Sequence, residues 1–315
     1  MEIYRPELRS GEVLVRVCAT TVNRTDCGYR AGKPWIVRLF FGLFKPRVNI
    51  LGSEFAGRVV MVGKGVTRFA VGDDVFGYRD DVGGFGGHAE YLSIAEDEML
   101  AKIPKGMSYQ QAAPMLEGAH YALFYVRAAG IGQGTRVLIN GATGAIGSAA
   151  VQICSHLGAL VTAVCRAEHF ELVQSLGAKE TIDYETVDFT EHGGAFGVVF
   201  DAVGKSSFRE CVKLLEPGGI YASSELGPRW ENPVLALVTK LFGSVLGYQG
   251  KKLLFPIPKN RSEDVEYLND LARQGVFRPL IDKTYPLENI VEAYRYVESG
   301  RKVGNVVLTM PGSVE

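Results

Sequence analysis

The sequence predicts a two-domain α/β protein in which a doubly wound parallel sheet is inserted between two pieces of a β-rich domain. Two patterns support this prediction. Strands and helices alternate through the middle of the chain, and short strands separated by Gly and Asp turns occupy its two ends. The chain has 315 residues, 47% of them hydrophobic, which suits about two domains that each bury a core.

The two ends of the chain are predicted to build the β-rich domain. Strand-like runs in the first hundred residues lie at Glu12–Val17, Gly57–Val62, Asp74–Phe76 and Ala89–Ile94. After a helix predicted at Ser262–Gln274, β character returns and ends in a strand at Asn305–Met310. We therefore assign residues 1–111 and 276–315 to the β-rich domain and residues 112–275 to the inserted domain.

The inserted domain begins with a helical pattern at Gln110–Ala129, which Gly130 ends. The predicted strands that follow are Arg136–Asn140, Leu160–Cys165, Gly197–Asp201 and Gly219–Ser223, with Lys252–Pro256 closing the sheet. The predicted helices between them are Ala145–Leu157, Glu168–Leu176 and Ser206–Leu215. Such alternation is typical of a parallel sheet covered by helices on both faces.

Composition excludes several classes of partner and indicates a compartment. The 34 basic and 35 acidic residues give a net charge of −1, so we expect no nucleic-acid partner. The most apolar stretches are too short to span a bilayer, so we expect no stable membrane insertion. Five cysteines without a C-x-x-C spacing argue against a disulfide framework, and they favour the reducing cytoplasm.

The strongest motif is a glycine-rich loop between a predicted strand and a predicted helix. Its sequence is Gly141-Ala142-Thr143-Gly144-Ala145-Ile146-Gly147. The first glycine allows a tight turn, the second lets the backbone approach a pyrophosphate, and the third lets the helix pack closely on the sheet. The loop therefore predicts a dinucleotide cofactor at the helix N-terminus. The alternative is a glycine-rich turn that binds nothing.

The end of the second predicted strand indicates which dinucleotide is bound. An Asp or Glu at this position binds the free ribose hydroxyl of NAD, but the chain continues as Val164-Cys165-Arg166. An arginine there meets the 2′-phosphate of NADP(H) with a fork of donors. The alternatives are that Arg166 is merely a solvated side chain, or that Glu168 faces the ribose and weakens this preference.

With these residues in place, the chain resembles the zinc-free, quinone-oxidoreductase-like branch of the medium-chain dehydrogenase/reductase family. The segments that carry the resemblance are Val22–Asp26, Leu51–Gly57, Val62–Val66, Val71–Val75, Gly86–Tyr91, the glycine-rich loop, Ser175–Ala178, Phe200–Gly204 and Gly304–Leu308. The resemblance implies a GroES-like (chaperonin-10-like) partial β-barrel, a Rossmann domain and an active site in the cleft between them.

The resemblance also bears on metal binding. The family's zinc enzymes have Cys at the position of Asn23, His at the position of Ser53, and Cys or Asp near Glu117. Asn and Ser are poor zinc ligands, so we expect no catalytic metal. The family's structural zinc lobe is replaced after Asp81 by a glycine-rich stretch without cysteine, so we expect no structural zinc either.

Three residues are candidates for catalysis. The resemblance places Asn23 near the nicotinamide, where its amide is suited to donate to the substrate carbonyl; the alternative is an Asn that only satisfies a turn. Glu117 and His120 are three residues apart on a predicted helix and are suited to relay a proton. The alternative is a buried pair that fixes the helix. Thr25 aligns with a proton-relaying hydroxyl of the zinc enzymes, and its role without zinc is open.

Further cofactor contacts follow from the resemblance. Tyr184 is expected at the adenosine end, and Asp201, Ala202 and Val203 are expected to line the nicotinamide ribose. Asn305 stands where many relatives have Lys, which makes its cofactor contact less certain. The side chains expected to wall a bulky apolar substrate pocket, or alternatively a dimer contact, are Trp35, Phe40, Phe41, Phe44, Trp230 and the segment Pro233–Leu246.

These residues predict an NADPH-dependent reductase of quinones or α,β-unsaturated carbonyls that transfers hydride without zinc. Within enzymes, the alternatives are an NADP-dependent alcohol dehydrogenase and an enoyl-thioester reductase. The second is less favoured because Pro34-Trp35 stands where such reductases carry a tyrosine. An NADPH-binding sensor or interaction protein without turnover is the alternative from another class. Analogy with relatives suggests a homodimer or homotetramer.

Overall fold

The chain folds into two units, which the computed structural model describes over residues 4–32, 50–79, 86–227, 231–242, 248–255 and 258–312. The first unit comprises residues 1–117 and 260–315, and the second comprises residues 118–259. Each unit has its own sheet, and each is described below by itself.

The secondary structure of the described residues is numbered in chain order. The strands are β1 (Glu12–Val22), β2 (Glu54–Val62), β3 (Asp74–Tyr78), β4 (Tyr91–Ala95), β5 (Leu100–Lys102), β6 (Arg136–Asn140), β7 (Leu160–Cys165), β8 (Glu180–Asp183), β9 (Phe196–Asp201), β10 (Leu215–Ser223), β11 (Lys252–Leu254), β12 (Ile281–Pro286) and β13 (Asn305–Thr309). The helices are α1 (Arg24–Ala31), α2 (Tyr109–Ala112), α3 (Glu117–Ala128), α4 (Ala145–His156), α5 (Phe170–Ser175), α6 (Phe208–Cys211), α7 (Glu231–Phe242), α8 (Ser262–Arg273) and α9 (Ile290–Glu298).

The first unit is built around strand β1. Its sheet runs in the order β12-β13-β1-β2-β3-β5, and β4 also pairs with β1. The register of β1 against β2 shifts at Leu14/Val15 and again at Val17/Ala19. Such bulges bend a strand, and β1 pairs with β2, β4 and β13 along its length. Alternate residues Val13, Val15 and Val17 fill a core with Phe55.

The second unit contains a six-stranded parallel sheet in the order β11-β10-β9-β6-β7-β8. The chain runs outward from β6 to β8 and then returns to the other side of β6 as β9. This reversal places a topological switch point between β6 and β9. Ligands of open α/β sheets bind at the carboxyl ends of the strands at such a point.

The helix α8 shows where the domain boundaries differ from those expected. This helix was predicted to belong to the inserted domain, whereas it lies in the first unit. There it lies against β5, because Asn269 Nδ2 donates to the carbonyl of Lys102 at 3.2 Å. An ion pair of 2.9 Å between Arg68 and Glu266 also holds it.

Several predicted helices are shorter than expected. The pattern at Gln110–Ala129 divides into α2, a 3₁₀ turn and α3, because Pro114 interrupts the helix with φ −85° and ψ 24°. Likewise α5 and α6 are single short helices next to 3₁₀ turns. Helices α1, α7 and α9 and strands β5, β8 and β12 were not predicted.

Candidate functional site

The glycine-rich loop joins β6 to α4 in the second unit. Gly141 has φ +80°, and a Cβ placed on it would meet Val203 Cγ1 at 2.3 Å. A Cβ on Gly147 would meet the carbonyl oxygen of Gly141 at 2.1 Å. The amides of Gly141 and Ala142 donate to the carbonyl of Val164 at 3.1 and 3.2 Å. Packing therefore requires glycine at both ends of this loop.

Gly144, in the middle of the loop, has a different environment. A Cβ added there would meet only the Gly141 carbonyl oxygen, at 3.4 Å, so its side faces open space. Gly144 is also the N-cap of α4, and the first amides of a helix have no acceptor within the helix. An open cradle beside amides that carry partial positive charge suits a pyrophosphate. The loop thus fits the dinucleotide that its sequence predicts.

Arg166 and Tyr184 follow β7 and β8, so they lie at the same edge of the sheet as the loop. The structure brings them together: Arg166 Nε donates to the Tyr184 hydroxyl at 3.1 Å. Arg166 also pairs with Glu185 at 2.9 Å and lies 3.7 Å from Glu168. The Tyr184 side chain is 48% exposed, so its ring offers an accessible aromatic face. Glu185, which the sequence analysis did not single out, partly neutralises the arginine.

Asp201 ends β9 and is hydrogen-bonded within the turn that follows it. Its carboxylate is fully buried and accepts six hydrogen bonds of 2.9–3.2 Å. The donors are Asn140 Nδ2, the amides of Val203, Gly204 and Ser206, and the hydroxyls of Ser206 and Tyr221. The carboxylate therefore holds its own turn, and the lining of the nicotinamide ribose by residues 201–203 stays a prediction. Ala202 and Val203 stay beside the loop, where Val203 packs over Gly141.

In the first unit, the residues of interest surround three buried carboxyl groups, which we call the carboxyl cluster: Asp26, Glu54 and Glu117. Glu54 Oε1 accepts from the amides of Leu116 at 2.9 Å and Glu117 at 2.6 Å. Its Oε2 accepts from Thr21 Oγ1 and Asn23 Nδ2, each at 2.9 Å. Burial raises the pKa of Glu54, and these donors oppose the rise. The four donors thus limit the rise of the Glu54 pKa without cancelling it.

Asn23 faces this carboxylate. Its amide nitrogen donates to Thr21 Oγ1 and to Glu54 Oε2, both at 2.9 Å. An amide nitrogen carries only two hydrogens, so neither is left for a substrate carbonyl. The expected polarising role of Asn23 is therefore not supported by the geometry, and the residue positions Glu54 instead.

Asp26 connects helix α1 to Gly52 through hydrogen bonds. Its carboxylate accepts from the amides of Asn23 at 2.9 Å and Gly52 at 3.0 Å. Burial raises the pKa of Asp26, whereas His88 and the backbone amides lower it. The net pKa of Asp26 stays raised, because burial outweighs the amide donors.

Glu117 has fewer donors than the other two members. Its Oε1 makes a short hydrogen bond with the Thr25 hydroxyl, and its Oε2 lies 3.4 Å from Ser53 Oγ. The side chain is only 8% exposed. Burial, followed by the negative charges of Glu54 and Asp26, raises the pKa of Glu117 well above its ordinary value. Glu117 thus favours the protonated form.

Lys302 is a neighbour of the cluster that sequence reasoning missed. Its Nζ donates to the carbonyl of Gly304 at 2.5 Å. Burial lowers the pKa of Lys302, and the charge of Glu117 is the strongest effect opposing that decrease. Nothing in its sequence context signals this, because Arg301-Lys302 reads as an ordinary polar stretch.

Two other predicted residues are fully or almost fully buried. His120 lies on α3 with its ring edge-on to Tyr121 at 6.2 Å, and its pairing with Glu117 in a relay stays a prediction. Asn305 donates from both its backbone amide and its side-chain Nδ2 to the carbonyl of Leu280, at 2.8 and 3.0 Å. This side chain fixes the start of β13, and its contact with a cofactor stays a prediction.

The predicted apolar substrate wall cannot be placed as a whole. Trp35, Phe40, Phe41, Phe44 and Trp230 lie outside the described residues, as do residues 243–246 of Pro233–Leu246. The described part of that segment belongs to α7. There Val234, Leu237 and Leu241 are exposed on one face.

The described part of the chain contains neither a metal-binding cluster nor a membrane-spanning helix. No group of three His, Cys, Asp or Glu side chains there is arranged to hold a metal ion. Nor does any helix within the described ranges have the length and apolar character to cross a bilayer.

Comparisons with known proteins identify the family. A model of the alcohol dehydrogenase GroES-like domain matches residues 9–105, and a model of the zinc-binding dehydrogenase family matches residues 176–308. The 2-methylene-furan-3-one reductase of Solanum lycopersicum is 30% identical over 96% of this chain and 73% of its own length. A 2-haloacrylate reductase of Burkholderia sp is 31% identical over 95% of this chain and 90% of its own length.

The chain belongs to the medium-chain dehydrogenase/reductase family. Among solved structures, the CurK enoyl reductase is 26% identical, with a TM-score of 0.84 over 99% of this chain and 94% of that one. The quinone oxidoreductase of Coxiella burnetii shares the fold, with a TM-score of 0.83 at 24% identity, 98% of this chain and 93% of that one being covered. The predicted resemblance, the GroES-like and Rossmann fold class and the oxidoreductase class are confirmed. Medium-chain dehydrogenase/reductases use pyridine nucleotides.

Proposed function

We propose that the chain is an NADPH-dependent reductase of quinones or α,β-unsaturated carbonyls. The observation that carries this proposal is the glycine-rich loop, which is closed by packing at Gly141 and Gly147 and open at Gly144. A relative named NADPH-dependent alkenal/one oxidoreductase, from Arabidopsis thaliana, is 28% identical over 97% of this chain and 74% of its own length. When bound, the reduced nicotinamide supplies the hydride.

Zinc does not fit the residues present. The family positions that hold Cys and His in zinc enzymes are Asn23 and Ser53 here, and neither supplies a thiolate or an imidazole. The Asn23 amide nitrogen is turned towards Glu54. Quinones and enones delocalise the charge that hydride addition creates, so they need a Lewis acid less than a simple ketone does. The donor set therefore favours these acceptors over alcohols.

Arg166 and Tyr184 are proposed to select NADPH. The guanidinium uses Nε for Tyr184 and Glu185, and its Nη1 lies 3.7 Å from Glu168, so a 2′-phosphate is expected to compete with Glu168 for the terminal nitrogens. The exposed ring of Tyr184 offers a face for the adenine. Glu168 and Glu185 oppose a second negative charge at this point, so the preference for NADPH over NADH is expected to be moderate.

The loop residues Thr143, Ala145 and Ile146 are proposed to bind the pyrophosphate through their amides. Gly144 is proposed to contribute its open side, because its own amide donates to the Gly141 carbonyl at 3.0 Å. Ala202 and Val203 are proposed to line the ribose beside Gly141. Glu117 and His120 are proposed as proton-transfer residues, and Asn23 is reassigned to positioning.

The test follows NADPH absorbance with a panel of quinones, enones, enoyl thioesters and aldehydes. We expect oxidation with quinones or enones, and weak or no reduction of aldehydes. Enoyl thioesters are the second candidate, which the match to the CurK enoyl reductase favours. Tight NADPH binding without turnover of any acceptor would contradict an enzymatic role and favour a sensor or interaction protein.

We also propose a cytoplasmic homodimer or homotetramer. All five cysteines are free thiols, which suits a reducing compartment. Light scattering during size-exclusion chromatography measures the assembly, and a monomer at micromolar concentration would contradict it.

A further inference from the structure

Helix α7 of the second unit turns polar side chains inward and large apolar side chains outward. Its inward residues Asn232 and Thr239 are each 1% exposed. Asn232 Nδ2 donates to the carbonyl of Glu225 at 2.7 Å. The Thr239 hydroxyl accepts from the amide of Leu253, in β11, at 2.9 Å. These two hydrogen bonds fix the rotation of α7 about its own axis, so its outward face cannot turn towards the core.

The outward face carries four large apolar side chains, which we call the apolar stripe: Val234, Leu237, Leu241 and Phe242. Each of them is between 53 and 63% exposed. The first three are spaced by three and four residues, which places them on one side of the helix. A helix that covers a sheet normally turns its apolar side to the core. Large apolar side chains that cluster at the surface instead indicate an interaction site.

The charge around the apolar stripe is basic. Residues 226–259 contain five basic residues and one acidic residue, a net charge of +4, whereas the other 29 basic and 34 acidic residues of the chain give −5. Lys240 is exposed on α7 itself, next to Leu241. At the start of the helix, the single acid Glu231 lies 3.8 Å from Arg209, whose side chain is 72% exposed. Basic side chains therefore lie at both ends of the stripe.

We propose that the apolar stripe of α7 binds the surface of an anionic lipid bilayer. Helices with one apolar face and basic neighbours adsorb in the plane of such a surface, with the apolar side chains among the lipids and the cations at the phosphates. Adsorption needs only one apolar face, so it requires no helix that crosses the bilayer. This inference is independent of the proposed function, because binding to lipid involves neither the cofactor nor the acceptor.

The charges favour lipid over a second copy of the chain as the partner of the stripe. A symmetric contact between two copies places the same patch of each against the other. Two surfaces with the same basic excess repel each other, whereas an anionic bilayer is attracted by that excess. The dimer is the alternative that the experiments must separate from lipid binding.

The first experiment floats the full chain, without added cofactor, through sucrose with lipid vesicles. Phosphatidylcholine vesicles are compared with vesicles of phosphatidylcholine and phosphatidylserine. We expect the protein to float with the anionic vesicles and much less with the neutral ones, and we expect added salt to reduce flotation because it screens the attraction. No flotation with the anionic vesicles, or equal flotation with both compositions, overturns the proposal.

The second experiment measures the partition coefficient of variants on the anionic vesicles. The double variant Leu237→Ser, Leu241→Ser is expected to bind more than about tenfold more weakly, because it loses two apolar side chains from the contact. Lys240→Gln is expected to bind about fivefold more weakly. Val291→Ser is the matched control, since Val291 is 57% exposed on another helix, α9, and is expected to bind like the wild type. A double variant that binds like the wild type overturns the proposal.

Folding and self-association are checked on the same samples. Both leucines are largely exposed, so the double variant is expected to keep the melting temperature of the wild type. If that variant is destabilised, Lys240→Glu tests the same surface through one exposed charge, and undiminished binding of Lys240→Glu overturns the proposal. Light scattering measures the assembly. A wild type that is a dimer and stays off the vesicles, with a double variant that is a monomer, shows that a second copy covers the stripe and also overturns it.

Discussion

Each unit of the protein buries a carboxyl group in a region proposed to serve the reaction. The two groups differ in the number and type of their hydrogen-bond donors. Asp201 in the second unit accepts six hydrogen bonds, four of them involving its own turn from residue 203 to residue 206. Glu117 in the first unit is nearly as buried and is hydrogen-bonded to only two hydroxyls among the described residues. Both positions place an acid at the end of an element, yet their surroundings differ.

The difference separates structural from chemical carboxyl groups. A carboxylate surrounded by amide donors is held ionised and has no capacity left for a ligand. A carboxyl that meets only hydroxyls can change its protonation state, because a hydroxyl accommodates either form. The number and type of donors, rather than burial alone, indicate which acid takes part in chemistry.

The largest expected effect is on stability when Asp201 is replaced. Asp201→Asn removes a charge that six donors stabilise and turns an NH₂ group towards some of them. We expect a loss of roughly 3 kcal/mol in the free energy of unfolding. Urea unfolding followed by circular dichroism measures it. A change comparable with that of Glu117→Gln would contradict the comparison.

The glycine-rich loop offers a similar contrast, because Gly147 is required for packing whereas Gly144 is proposed to lie against the cofactor. Gly147→Ala is expected to cost about 1–3 kcal/mol, because its Cβ meets the Gly141 carbonyl oxygen at 2.1 Å. Gly144→Ala is expected to keep the stability and to weaken NADPH binding, because its Cβ enters the open cradle. Thermal unfolding and NADPH fluorescence titration distinguish the two outcomes.

Gly132→Ala is the matched control for the loop, since a Cβ there meets nothing within 4 Å. This substitution is expected to change neither the thermal stability nor the affinity for NADPH. Equal effects of the Gly144 and Gly132 substitutions on NADPH affinity would contradict the assignment of the cradle.

Cofactor choice is a smaller effect, because the residues around Arg166 are exposed. Arg166→Ala is expected to reduce the ratio of kcat/KM for NADPH to that for NADH by roughly tenfold. Glu185→Gln is expected to raise the same ratio by less than about fivefold, as suits an exposed ion pair. Steady-state kinetics with both cofactors measures the ratio. An unchanged ratio in both variants would contradict the proposal that Arg166 binds the 2′-phosphate of NADPH.

The smallest effect is expected for the stability of Glu117→Gln at neutral pH. A protonated acid and an amide have nearly the same shape and charge, so we expect a change within about 1 kcal/mol. At alkaline pH we expect the difference in the free energy of unfolding to favour the Glu117→Gln variant over the wild type. A raised folded-state pKa stabilises the wild type below the unfolded pKa, and this contribution is lost as pH rises through the folded pKa.

Thermal unfolding across this pH range checks the sign. We expect the melting temperature of the wild type to fall more steeply with rising pH than that of Glu117→Gln. Parallel curves would show that Glu117 does not retain its proton in the folded protein.

Local patterns predicted the dinucleotide-binding half well. Strand β6, the loop and the start of α4 follow one another along the chain, so their roles are visible in consecutive residues. The alternation of strands and helices fixed the parallel sheet for the same reason. The split at Pro114 was missed because the apolar spacing continues on both sides of it.

The first-unit site could not be predicted in the same way. Thr25 and Glu117 are 92 residues apart, and only the fold brings them together. An Asp at the end of a strand has the same sequence pattern whether it faces a ligand or its own turn, so the hydrogen bonds of Asp201 to residues 203–206 were not predicted. Asn23 was placed in the correct region, but the direction of its amide depends on Glu54, 31 residues away.

The discontinuous first unit has a consequence for biogenesis. Strand β1 pairs with β13, so a ladder begun by residues 19–22 is finished only by residues 306–309. During translation the whole second unit emerges before that partner exists, and domains generally fold as units in the order of synthesis. The β1 edge must therefore wait unpaired on the ribosome while the parallel sheet matures, which makes it the segment that chaperones are expected to shield.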